Sequence, residues 1–536
     1  MRRRQLLRAA AVGPLLALAP ALRIEAKSPI GAQTTMHPTR ATTASLAQAL
    51  RLGRTSVRAI AQAHLDRIAA IDKAGPRLNA IIEINPEALK LADQLDALAR
   101  EGRWLGPLHG IPVLIKDNIA TGDRMQTTAG SLALEGVRAS RDAALVEQLR
   151  EAGALVLAKT NLSEWANIRS NRSSSGWSSR GGLTRNPHAL DRNTSGSSSG
   201  TGSAIAAGLG VLGVGTETDG SIVSPASKNG LVGLKPTVGR VSRDGIIPIS
   251  HTQDTAGPMT RTVADAAALM QAICRSDVRD EATREAPATP DYLAALDAQA
   301  MKGARIGVAR SHLSAHPEVN ARFEQALKLI GTAGAELVEV EAPKSAAWGK
   351  DELTVLLVEL KSGLAKWLAE FAPQARIRNL DDLIRFNEQH ASRVMPWFGQ
   401  ELFLQAQKLG DPSSPEYRSA LENCRRLARV EGLDAMFERE RVDAVVAPTG
   451  GLAWLTDLGA GDFYTGSFSS PAAVAGVPHL TVPMGMVSLP SGVSLPAGLS
   501  FVGPAWSEAR LLGLGYAFER ARGPLPLPSY KRHSTA

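Results

Sequence analysis

Apolar residues recur at helical spacing across residues 46–71, with Ile60, Leu65 and Ile68 among them, and this period predicts an amphipathic helix. Asn85-Pro86-Glu87 reads as the start of a second helix: a capping oxygen, proline at the first helical position and an acid in the first turn. Leu89, Leu95 and Leu98 carry that helix to about Arg100. The pattern then changes. Residues 111–115 are an unbroken apolar run, as expected of a strand covered on both faces of its sheet, and Lys116 ends it. Residues 145–152 and 154–159 make one step from helix to short apolar strand, with Gly153 closing the helix. Residues 305–309, 321–330 and 336–340 make another, and 442–448 and 480–483 return the chain to the sheet. This alternation predicts an α/β fold with a mixed, mostly parallel twisted sheet covered by helices on both faces. Residues 346–440 are charged, helical in pattern and contain Trp348, Trp367 and Trp397; they read as a helical layer and as a candidate cover for a site. No Pro/Gly/Ser linker separates independent cores, which points to a single large domain.

Residues 193–225 follow neither period. They open with Ser195-Gly196-Ser197-Ser198-Ser199-Gly200, pass through a small-residue segment at 201–210 and the apolar run Val211-Leu212-Gly213-Val214, and reach the turn Thr216-Glu217-Thr218-Asp219-Gly220-Ser221. Ser/Gly density in isolation signals a flexible linker. Here it leads directly into a helix-compatible segment, a buried-looking strand and a second glycine turn, the signature of a built loop. No lysine follows these glycines at the spacing of a phosphate-binding loop.

Three motifs in this order resemble the amidase signature hydrolases. They are Gly110-Ile111-Pro112-Val113-Leu114-Ile115-Lys116-Asp117-Asn118, Gly196-Ser197-Ser198-Ser199-Gly200 and Asp219-Gly220-Ser221-Ile222-Val223-Ser224-Pro225. The resemblance runs from about residue 45 to 520. Matched residue by residue, it implies Ser221 as nucleophile, Ser197 as a bridging serine after a cis Gly196-Ser197 bond, and Lys116 as base. It also implies an oxyanion hole from the backbone of Thr218, Asp219, Gly220 and Ser221. The implied reaction is amide C–N cleavage through an acyl-enzyme, with no metal or organic cofactor.

The chemistry is consistent with that triad. A serine hydroxyl is a weak nucleophile until a base takes its proton. Lysine, at about 10.4 in water, is no base at neutral pH, but burial disfavours its charged form, and Lys116 ends an apolar strand. His109 and His188 lie near the motifs and read as structural hydrogen-bonding residues. No HExxH helix occurs, and Gly196 to Gly200 fits Gly-x-Ser-x-Gly without the strand-to-helix elbow of an α/β-hydrolase. One position departs from the family: Val223 stands where arginine is common. The segments around Trp165 and Trp177, and residues 215–221, look similar to bacterial peptide amidases, which act on C-terminal carboxamides. The implied substrate is a small amide or peptide amide. Three alternatives stay open: the amidase subunit of a tRNA-dependent amidotransferase, a general aryl or fatty amide hydrolase, and a non-catalytic binding protein on this scaffold.

Charge adds little to this picture. The formal net charge of +8 includes Arg2, Arg3, Arg4 and Arg8. The remaining basic residues are scattered and aromatics are 4% of the chain, so neither a nucleic-acid partner nor an obligate protein partner is expected. Cys274 and Cys424, the two cysteines, make no disulfide framework or metal spacing and read as buried thiols, with a single bridge left open. The N-terminus changes the picture more. Arg2-Arg3-Arg4-Gln5-Leu6-Leu7-Arg8 precedes an apolar run at 9–19 and the small-residue site Ala19-Pro20-Ala21. Residues 1–21 therefore read as a twin-arginine-like secretory signal. The run is shorter than the ~20 residues of a membrane span. Export to the periplasm or medium is expected, with a polar lead-in at 22–44, the amidase domain at 45–520, a tail at 521–536 and no membrane span after signal removal.

Overall fold

Thirteen strands are present among residues 37–532, the part of the chain that the computed structural model describes; the expected signal segment and most of the polar lead-in lie outside it. In chain order they are β1 (Ile81–Ile84), β2 (Pro112–Lys116), β3 (Leu155–Thr160), β4 (Trp177–Ser178), β5 (Gly182–Leu183), β6 (Leu212–Glu217) and β7 (Val232–Lys235). Then follow β8 (Thr255–Thr260), β9 (Arg305–Val308), β10 (Glu336–Glu339), β11 (Ala444–Pro448), β12 (His479–Ser488) and β13 (Ser494–Val502). β4 and β5 form a small ribbon; the other eleven make one sheet in the order β1-β3-β2-β6-β8-β7-β12-β13-β11-β9-β10.

The sheet is mixed. Its parallel pairing is concentrated in two blocks, β3-β2-β6 and β11-β9-β10. These are the blocks that the helix–strand alternation predicts. The middle of the sheet is antiparallel from β6 through β8, β7, β12 and β13 to β11, so parallel pairs account for four of the ten and do not run through the whole sheet. For β12 and β13 the reason is connection length: the short turn at 489–493 joins them and permits only an antiparallel pair. β2, β3 and β6 are buried along their whole length, as their apolar runs require.

Helix boundaries move where polar residues have better partners. The period at 46–71 resolves into Thr43–Arg51 and Val57–Arg67, the second continuing as a π-helix, Ile68–Lys73. Gly53 at φ +63° breaks the first, and the Ser56 side chain accepts the Ala59 N–H to start the second. Asn85 accepts the Glu87 N–H but also donates to the Val156 carbonyl of β3. The helix therefore starts just beyond this tripeptide, at Ala88.

Residues 346–440 are helical as predicted, led by Gly349–Phe371, Leu380–Gln389, Glu401–Lys408 and Pro415–Cys424. Trp348 and Trp367 are buried, whereas Trp397 is exposed. This layer is pinned by polar contacts. Glu359 accepts from Ser250 and Tyr417, and Arg169 donates to the Val394 carbonyl at 2.7 Å. Cys274 and Cys424 are both buried free thiols. No helix among the described residues is long and apolar enough to cross a membrane.

Candidate active site

Lys116 is delivered by the end of β2, the central strand of the first parallel block. Its side chain is fully buried, and Nζ lies 2.8 Å from Ser197 Oγ, 2.8 Å from Thr216 Oγ1 and 3.2 Å from the Thr216 carbonyl. Burial lowers its pKa to about 7, against the pull of the Asp254 and Glu217 carboxyls. A neutral amine offers two N–H groups and one lone pair. The Thr216 carbonyl can only accept, and donation to it and to Thr216 Oγ1 leaves the lone pair for the Ser197 hydroxyl.

Ser197 follows a cis Gly196-Ser197 peptide bond, with Ser195 at φ +60° before it. The next residue, Ser198, ties this loop to the strand and turn beyond it. Its N–H donates to the Ser221 carbonyl at 3.1 Å and its hydroxyl to the Thr216 carbonyl at 3.1 Å. The short helix Ser199–Ala206 then runs under the sheet, all eight residues buried. Small side chains are required there: a Cβ at Gly200 would stand 2.4 Å from the Asn161 carbonyl.

β6 ends at Glu217 and the chain turns through Thr218, Asp219 and Gly220 to Ser221, which is half-buried. Glu217 accepts the N–H groups of Ile222 at 2.6 Å and Val223 at 2.9 Å, so its buried carboxylate closes the turn from below. Thr218 Oγ1 donates to Asp254, whose carboxyl burial raises to about 6. Gly220 sits at φ +80° with Ser469 Oγ only 3.0 Å from where a Cβ would be. Among the described residues, the N–H groups of Asp219, Gly220 and Ser221 donate to no protein acceptor. Val223, the position that departs from the family pattern, is buried and opens the helix Val223–Lys228.

The three motifs that lie far apart in sequence thus meet at one place. His109 and His188 do not join them. His109 contacts the Leu95 carbonyl and accepts the Leu105 N–H, while His188 contacts the Asn229 carbonyl. Sequence reasoning missed Thr216, Asn118, Asp254 and Ser198 as supports of the site. Asn118, which donates to Thr216 Oγ1 at 3.0 Å, Ser198 and Thr216 all stand within or beside the motifs, and that placement was the available signal; Asp254 had none. Arg169 was missed too: it is buried, paired with Glu164, and stacked 4.2 Å from the Phe398 ring centroid.

With this geometry in view, likeness to known proteins is informative. The Amidase family model matches residues 59–512. The chain is similar to native peptide amidase from Stenotrophomonas maltophilia, at 49% identity and a TM-score of 0.87, over 92% of this chain and 99% of that one. A probable amidase of Arabidopsis thaliana is 40% identical over 84% of this chain and 85% of its own. A glutamyl-tRNA(Gln) amidotransferase subunit from Acinetobacter baumannii is 34% identical over 89% and 94%. A single α/β domain of this kind, with the family's motifs brought together on one sheet, identifies the chain as a member of the amidase family, an amide-hydrolysing enzyme.

Proposed function

We propose that the chain hydrolyses the C-terminal carboxamide of peptides, with Ser221 as nucleophile, Ser197 as relay and Lys116 as base. Ser221 Oγ bonds to the amide carbon while its proton passes to Ser197 Oγ and the Ser197 proton to Lys116 Nζ. The N–H groups of the 218–221 turn, Asp219, Gly220 and Ser221 above all, receive the developing oxyanion, a contribution of about 3 kcal/mol per donor in such sites. The C–N bond then breaks as the relay returns its proton to nitrogen, and ammonia leaves. Water attacks the Ser221 ester by the same relay, freeing the acid and restoring the enzyme. The observation that carries this reading is the 2.8 Å contact between Ser197 and a fully buried Lys116, whose pKa burial lowers to about 7. Similarity to a peptide amidase at 49% identity, against 34% to the amidotransferase protein, supports the substrate class.

Such specificity needs a dead end beyond the scissile carbon, where NH₂ fits and a further residue does not. The assay compares an amidated dipeptide, the same dipeptide extended by one residue, and a long-chain fatty amide. Ammonia release from the first alone is expected, with no added protein or tRNA. Cleavage of the internal bond, or a higher kcat/KM for the fatty amide, refutes the peptide-amide assignment. The enzyme is further proposed to act outside the cytoplasm. Replacing Arg3 and Arg4 together by lysine then blocks export, and unchanged export points to a general secretory route instead.

A further inference from the structure

Behind the 218–221 turn lies a carboxyl cluster that the steps above do not use. Asp219 stands on the turn itself, and Glu352 is in the first turn of the helix Gly349–Phe371. The two carboxyls face each other closely enough for each to shift the other's titration, and the Ser470 hydroxyl lies beside both. Ser469 Oγ donates to Asp219 Oδ1, and Trp348 Nε1 donates to Ser470 Oγ at 3.1 Å. Gln253 Nε2 donates to Glu352 Oε1 at 3.1 Å and also reaches the Thr218 carbonyl at 3.4 Å. The pair is therefore held by bonds from a glutamine and a serine, with a second serine beside both carboxyls.

Two carboxylates are both acceptors and repel, so a direct bond between them requires a proton. The charged and titratable groups facing them do not remove that need. Lys235 attracts Asp219 from a distance while its Nζ bonds the Pro236 carbonyl; Glu217 and Asp219 repel each other, and Tyr464 is raised by burial first and by Asp219 second. Asp351 and Cys424 lie on the Glu352 side.

We propose that the Asp219–Glu352 pair is a positioning device, in which one shared proton locks the oxyanion-binding turn to the helical layer and holds the charge of the pair itself to one. This rests on reading the 218–221 turn as the oxyanion site. Negative charge builds on the substrate oxygen next to this turn, so a second negative charge on the pair opposes the transition state directly. It also breaks the bond that fixes the Asp219 backbone. Burial and the neighbouring Asp219 raise Glu352 to about 8, so the proton is held at neutral pH and lost in mildly alkaline solution. Glu352 and Asp219 touch no reacting atom; they act through the turn.

The test uses full-length wild type, Glu352→Gln and Glu352→Ala on an amidated dipeptide from about pH 6 to about pH 10. Glutamine keeps a donor to Asp219 and has no proton to lose. Wild-type kcat is expected to fall on the alkaline side, and Glu352→Gln to lose that limb while keeping the acid limb and neutral kcat within about threefold. Glu352→Ala is expected to lose kcat about tenfold or more, with KM changed less than about threefold. An alkaline limb that persists in Glu352→Gln, or wild-type kcat in Glu352→Ala, overturns the proposal. A second arm needs no substrate and so stands apart from the functional assignment. Glu352 has a folded-state pKa above its ordinary 4.5, so the folded state binds the extra proton. Wild type should then lose thermal stability relative to Glu352→Gln as pH rises from about 4.5 through about 8. Parallel pH dependence of the two proteins overturns the shared proton.

Discussion

Among the described residues, Lys116 is one of four lysines buried completely, with Lys159, Lys228 and Lys235. Burial lowers all four, Lys116 to about 7 and the others to about 8. Burial alone therefore does not mark a base; the partner does. Lys159 bonds the Ile119 carbonyl and Thr127 Oγ1, and Lys235 bonds a carbonyl, whereas Lys116 reaches the Ser197 hydroxyl. Substituting Lys116→Ala is expected to lower kcat by at least about 10³-fold, and Ser221→Ala by as much or more, each with an unchanged circular dichroism spectrum. Wild-type kcat/KM should drop as pH falls below about 7, because the amine that accepts the Ser197 proton becomes an ammonium that cannot. His109→Ala should leave this acid limb in place, since His109 is occupied by backbone groups; a limb that vanished with His109 would refute the lysine base.

At the scale of elements, the site is a junction of one strand end, one loop and one turn. Gly220 combines φ +80° with a near neighbour, Ser469. An alanine there costs about 1–2 kcal/mol in backbone strain and pushes the turn from Ser469. Gly220→Ala is thus expected to reduce kcat about tenfold or more while KM moves little, as steady-state kinetics on an amidated dipeptide would register. Glu217→Ala removes the acceptor of two buried N–H groups. Its expected cost is about 2–4 kcal/mol of stability, measurable by urea unfolding, with activity lost in parallel. Helices and strands with strong periods were legible here: β2, β3, β9 and β10 fall within a residue or two of the apolar runs. The helices Val263–Ile273 and Glu508–Arg522, and the hairpin partner β13, carry no such clear period; they are buried on most sides and so show no polar face to alternate with.

For the molecule as a whole, the C-terminal tail is a structural strap. The Tyr530 hydroxyl oxygen accepts from Arg67, Ser529 donates to the His188 carbonyl, and the Leu190 N–H donates to the Lys531 carbonyl. Residues 187–190 lead into the signature loop, so deleting residues 524–536 should lower the melting temperature by a few degrees in a thermal shift assay. What the sequence determined by itself was local and chemical. The apolar run before Lys116, the two glycine–serine motifs and the alternation of helix with strand came from residues a few positions apart, where spacing alone dictates backbone form. Only the tertiary structure decided which distant residues meet. Nothing in the order of residues joins Glu352 to Asp219, Arg169 to Val394, or Ser469 to Gly220. Nor does a strand's own pattern declare its neighbour's direction, so the antiparallel middle of the sheet was hidden as well. Period and propensity act over one or two turns of chain, whereas these contacts arise when the helical layer and the sheet close on each other. Burial then forces each polar group to the partner that the fold happens to bring within reach.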